Sequence, residues 1–152
     1  MGLGSKILSQ KKQRGQSLVE LGLTMMVILW LLSGAVDFGL GFFAYVAIRD
    51  AAQEGALFGS INPPLNTTAR DAIIARVRQS STTPVDLTDT SAGAGGVDVT
   101  VTAPASICAG NHLTVTVAYR YPVSTALVTT VTGPLITIRA ASTSVILQPV
   151  CP

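Results

Sequence analysis

Between Glu20 and Arg49 the chain carries a single charge, Asp37, in 28 residues, and no proline occurs before Pro63. An unbroken stretch of that length and polarity has few options. About 20 apolar residues cross a bilayer as a helix, and a continuous helix satisfies its own backbone hydrogen bonds along the way. The apolar part runs from 21 to 36, and after Asp37 a second uncharged stretch runs from 38 to 48.

Charge is distributed unevenly around this stretch. Residues 1–15 hold Lys6, Lys11, Lys12 and Arg14 with no acid, whereas the rest of the chain has six arginines, no lysine and all eight acids. A basic head on a lysine-free body reads as a targeting signal, with the head cytoplasmic and the carboxy-terminal part outside. With 12% charged residues and a mean hydropathy of +0.50, the composition excludes a disordered tail and a nucleic-acid binder working through a basic surface.

Three readings of the head and rod compete. A plain single-pass anchor explains the hydrophobicity and the orientation. A cleaved secretory signal explains them too, since Ser33-Gly34-Ala35 offers small residues after the apolar run. Neither accounts for Glu20 at the start of the apolar stretch. A carboxylate within bilayer depth costs about 2.5–3.5 kcal/mol and normally has a partner, although a solvated position at the interface costs less.

The third reading comes from a resemblance. Basic residues, Gly15, four further residues, Glu20 and then an apolar helix resemble the class III signal of type IV pilins and their relatives. The blocks at 14–23 (RGQSLVELGL), 36–60 (VDFGLGFFAYVAIRDAAQEGALFGS) and 113–123 (LTVTVAYRYPV) are similar to landmarks of TadE-like proteins of the tight-adherence system. Gln16 stands where type IVa pilins usually have an aromatic residue, which separates the chain from that branch. The resemblance implies cleavage by prepilin peptidase between Gly15 and Gln16, leaving Gln16 as the first mature residue and Glu20 as the fifth. It implies a pilin or pseudopilin: a helical filament of copies of this chain, other Tad pilins, or both. The inner-membrane pilus assembly machinery would be a further partner, and adhesion or surface motility the outcome. The precursor would sit in the cytoplasmic membrane before joining an extracellular pilus.

Cleavage gives Glu20 a physical role. The new amine at Gln16 adds to the partial positive charge of a helix N-terminus, and the carboxylate of a neighbouring copy can neutralise it in an apolar core. Asp37 is a second acid at membrane depth. Arg49 lies about 18 Å from it along a helix, so a neighbouring subunit is the expected partner. Farther out, Ala51, Ala52, Gly55, Ala56 and Gly59 form small-residue stripes, which suit close packing between subunits or against the chain's own domain. Gly34, Gly39 and Gly41 each weaken a helix by about 0.8–1.0 kcal/mol relative to alanine and suggest a bend or local melting.

One helix is expected over 16–59, closed by Asn62-Pro63-Pro64. Thr68-Ala69-Arg70-Asp71 resembles a capping box opening a second helix through Gln79, with Ala69, Ile73 and Val77 on its apolar face and Arg70, Arg76 and Arg78 on a solvated one. The Ser/Thr/Gly-rich stretch 80–96 reads as an exposed loop. Apolar–polar alternation predicts strands at 97–102, 113–120 and 135–147, with 123–132 open between strand and short helix. The expected architecture is α+β and pilin-like: a long amino-terminal hydrophobic helix, a small antiparallel sheet and one short extra helix. The expected divisions are a leader over 1–15, an assembly helix over 16–60 and an outer domain over 61–152.

Cys108 and Cys151, the two cysteines, both fall on the outer side. A disulfide is favoured over a metal site, closing a loop worth about 4 kcal/mol on the chain-entropy model; in a reducing compartment they would be buried thiols. Asn66-Thr67-Thr68 is a glycosylation acceptor triplet, which makes Asn66 a candidate modification site. His112 stands alone without further ligands at metal-binding spacing, and neither a nucleophile elbow nor a phosphate-binding loop occurs. No catalysis, cofactor or metal is expected. The alternative to a pilin is a bitopic membrane protein whose outer β-rich domain binds a partner and never polymerises.

Overall fold

The computed structural model describes the backbone of residues 3–148 and the side chains of residues 15–148, Leu127 apart. The elements follow in the order α1 (Leu3–Ile61), α2 (Thr67–Gln79), β1 (Val97–Thr102), β2 (His112–Pro122), α3 (Ala126–Thr132) and β3 (Leu135–Val145). The three strands form an antiparallel sheet in the order β1-β2-β3. The result is the α+β, pilin-like layout expected from the sequence, a long apolar helix carrying a small sheet.

The sheet lies along the outer half of α1. Leu113 of β2 meets the helix at Gly59, Val115 at Gly55, and Tyr121 at Gly41. From Leu113 to Tyr121 a strand advances about 27 Å, and from Gly59 back to Gly41 a helix advances about 27 Å. The two elements therefore stay in contact over their shared length, with β2 running down the helix as α1 runs up. Strict alternation on β2 turns Leu113, Val115, Val117 and Tyr119 toward the helix. They pack with Val97 and Val101 of β1, Ile73 and Val77 of α2, and Ala44, Ile48, Ala51, Ala52 and Ala56 of α1.

The small residues decide how near the sheet can come. A methyl group built on Gly55 would lie 2.3 Å from Cγ2 of Val77 and 3.3 Å from Cγ1 of Val115. One on Gly59 would lie 2.2 Å from Cδ2 of Leu113 and 3.1 Å from Cδ1 of Ile73. Of the two settings offered for the 51–59 stripe, the chain's own domain is the one it packs against.

Several local expectations are corrected. α1 runs without interruption through Gly34, Gly39 and Gly41, so none of them melts it; a penalty of about 1 kcal/mol each is small beside the continuous hydrogen bonding on both sides. Helix α2 is capped by Asn66, whose side chain accepts a hydrogen bond from the Ala69 N–H at 2.8 Å, and not by a box beginning at Thr68. Asn66 has extended backbone geometry and its oxygen reaches the third helical N–H, the usual N-cap arrangement. The 80–96 segment is not wholly exposed: Val85 and Leu87, in a bend and the turn that follows it, are fully buried. Residues 126–132 are helical, and β3 ends at Val145, two residues short of the expected limit.

Valines 77 and 115 are β-branched and stiff, whereas the Leu113 methyl is the far end of a flexible side chain. Gly55→Ala is therefore expected to lower the stability of the outer domain by about 1–2 kcal/mol net of its gain in helix propensity. Gly59→Ala should cost less, and Gly39→Ala, with open space around it, should cost nothing. Thermal unfolding of the three variants in detergent micelles checks the order.

Candidate functional site

α1 is two helices in one by environment. Every residue from 15 to 32 is exposed, including Leu18, Leu21, Leu23, Trp30 and Leu31. From Asp37 onward a buried stripe appears at 37, 44, 48, 51, 52, 55, 56, 59 and 60, the three-to-four spacing of one helical face. The segment Gly15–Ile61 is long and apolar enough to cross a membrane.

At the head of the rod, Gly15 has open space around its Cα, and Gln16 and Glu20 are exposed. The Thr24 hydroxyl donates to the Glu20 carbonyl at 2.8 Å, an ordinary helical back-bond that leaves the Glu20 carboxylate facing outward among exposed leucines and valines. A single copy thus presents this acid on the surface of an apolar rod, where a second molecule can reach it.

Asp37 has a different setting. It is 7% exposed, and its Oδ2 accepts hydrogen bonds from the Thr125 N–H at 2.8 Å and from the Thr125 hydroxyl. The Ser33 hydroxyl lies 3.3 Å from that of Thr125, and the Tyr121 hydroxyl donates to the Asp37 carbonyl at 3.3 Å. The sequence pointed to another subunit for Asp37; the structure supplies partners 84 to 88 residues away in the same chain. This cluster ties the turn before α3 to the middle of α1. Burial, and secondarily the Asp37 charge, holds the Tyr121 phenol above the usual tyrosine range.

Beside the clasp an apolar groove of 380 Å³ opens between α1 and the α3–β3 segment, lined among others by Gly34, Phe38, Phe42, Val128, Ile136 and Ile138. At the other end of the domain the Leu147 N–H donates to the Ser60 carbonyl at 2.9 Å. Two of the three α2 arginines are engaged within the chain. Arg76 pairs with Glu54 through Nε at 2.8 Å, and Arg78 donates to the Leu87 carbonyl at 3.0 Å. Arg120 of β2 pairs with Asp98 of β1 and donates to the Ser91 carbonyl.

Sequence reasoning missed Thr125, a threonine within an uncharged segment at the residue before α3, and Tyr121, which no short-range pattern marks. Cys108 lies in the loop before β2; its expected partner Cys151 lies outside the described residues, as do the side chains of the basic head.

Residues 15–57 match the family model of TadE-like protein. The match begins at the glycine of the expected cleavage site, contains Glu20, Asp37 and the small-residue stripe up to Ala56, and ends within α1. The matched span is confined to the amino-terminal rod and the small-residue face that follows it, under a third of the chain. No curated protein and no solved structure matches the chain.

If the Asp37 clasp holds the 123–134 segment against α1, Asp37→Ala strands a Thr125 N–H and frees the turn. Amide exchange over residues 123–134 should accelerate by roughly ten- to a hundredfold, since losing a buried hydrogen-bond partner costs about 1–3 kcal/mol. The Gly55 region should be unchanged, as read by hydrogen–deuterium exchange on the detergent-solubilised protein.

Proposed function

We propose that this chain is a structural subunit, pilin or pseudopilin, of a type IV or Tad-like pilus. It enters the membrane with its basic head cytoplasmic, is cut by prepilin peptidase between Gly15 and Gln16, and polymerises through α1. Its neighbours in the filament are copies of itself, other Tad pilins, or both. The inner-membrane pilus machinery draws it from the bilayer, and the extracellular filament serves adhesion or surface motility.

One observation carries the reading. The domain covers only the outer half of α1, while residues 15–32 stand as a bare apolar rod headed by Gly15 and Glu20. Such a rod requires a lipid or a protein surround in every state of the molecule. In the bilayer that surround is acyl chain; in a filament it is the rods of other subunits. Transfer between the two conserves apolar contact and leaves the charges to set position. The amine at Gln16 and the outward carboxylate of Glu20 on a neighbour then form a buried pair, and breaking such a pair by removing one partner costs about 3–5 kcal/mol.

The outer domain is proposed to be stapled by a disulfide between Cys108 and Cys151. In support, Ile146 exchanges backbone hydrogen bonds with Gly110 and Asn111, at 2.9 and 2.8 Å, which brings the chain end to the loop carrying Cys108. Peptide mapping without reduction should return the two cysteine peptides as one linked species. Asn66 is exposed, with its side-chain oxygen used for capping, and is proposed as a glycan acceptor where the host modifies such triplets.

Mass spectrometry of the surface protein should find a mature chain beginning at Gln16. A chain beginning at Met1 would support the non-polymerising bitopic alternative, and one beginning at Val36 a secreted domain. Glu20→Ala should still insert and be cleaved yet yield no filaments by electron microscopy; a normal filament yield from that variant overturns the charge-pairing mechanism.

A further inference from the structure

We propose that α3 and the uncharged segment around it form a foot that rests in the outer interfacial layer of the bilayer crossed by α1. The proposal builds on the membrane-inserted precursor described above and adds to it a second lipid contact, made by the outer domain.

Residues 121–138 contain no charged side chain, and the first charges on either side are Arg120 and Arg139. Within this run Val131 is 83% exposed and Leu135 40% exposed. Hydroxyls at the start of α3 and along it are already bonded inside the protein. Thr125 donates to Asp37, Thr129 to the Ala126 carbonyl at 2.8 Å, and Thr132 to the Val128 carbonyl at 3.0 Å. Seating them against lipid therefore forfeits little hydrogen bonding with water.

Depth follows from the clasp. Asp37 fixes Thr125 to α1 about 33 Å along the helix from Gly15, and a bilayer core is about 30 Å thick. With Gly15 at the cytoplasmic boundary, α3 falls at the outer boundary. The lipid-facing surface is also continuous. Exposed leucines and valines of α1 lead into exposed Phe38, Phe42 and Phe43, and from there to the groove and α3. The groove beside Phe38 and Val128 would be filled by an acyl chain.

The test uses the native Trp30, the chain's one tryptophan, as an internal reference. The full-length protein is reconstituted in phosphatidylethanolamine/phosphatidylglycerol vesicles in which the acyl chains are brominated either near the carbonyl or near the chain end. Trp30 itself should be strongly quenched. In a Trp30→Phe background, Val131→Trp should lose emission about twofold and more to the shallow bromines than to the deep ones, as an interfacial depth of about 5–10 Å requires. Ala105→Trp, at the far end of the domain, should be unaffected. Val131→Trp as unquenched as Ala105→Trp, with Trp30 still quenched, overturns the foot and leaves the span intact. Trp30 unquenched overturns both. If Val131→Trp is blue-shifted yet unquenched at high protein density, and the blue shift is lost on dilution into excess lipid, a second copy covers this face and the foot is wrong. Val131 is exposed, so the substitution leaves the core untouched.

Discussion

The architecture depends on how closely the outer half of α1 can approach β2. Two glycines and a set of alanines on one helical face allow Val77, Val115, Leu113 and Ile73 to sit where side chains of the helix would otherwise stand. Dispersion falls off steeply with separation, so a contact brought nearer along some 27 Å of shared length gains over many atom pairs at once. Without that approach the sheet, with one apolar face and only three strands, would have nothing to bury itself against. The helix is thus the second layer of a small domain as well as an apolar rod.

The same helix serves two surroundings by dividing its length. Beyond Asp37 its apolar face is spent on the domain; over residues 15–32 apolar side chains point all round and stand exposed. Asp37 marks the boundary. Its hydrogen bonds with Thr125 turn an acid at the edge of the apolar stretch into a joint between the rod and the base of the sheet. Glu20, by contrast, has an outward carboxylate. One acid is committed to the fold and the other is presented to whatever surrounds the rod, a difference that identical side-chain chemistry could not have revealed.

Most of the secondary structure was legible. The charge-poor stretch, the Asn62-Pro63-Pro64 stop, the alternation on β1 and β2 and the apolar face of α2 each follow from a local period or a local backbone restriction. What failed to read were contacts between distant segments. Val85 and Leu87 sit in a stretch of loop-forming residues, and nothing nearby shows that two of its side chains plug the core. Asn66 and Thr68 are both good caps, and which one the helix uses depends on where the chain leaves Pro64. Thr125 and Tyr121 carry no local signature as partners of Asp37.

The sequence alone determined where the helix and strands lie, which end of the chain is basic, and that a long apolar rod would precede a small β-rich domain, because these depend on residues within a few positions of one another. The tertiary structure alone decided which small residues are contact surface and which acid is held within the chain. Those outcomes depend on the register between a helix rising about 1.5 Å per residue and a strand rising about 3.4 Å, a quantity that exists only once the two are packed together.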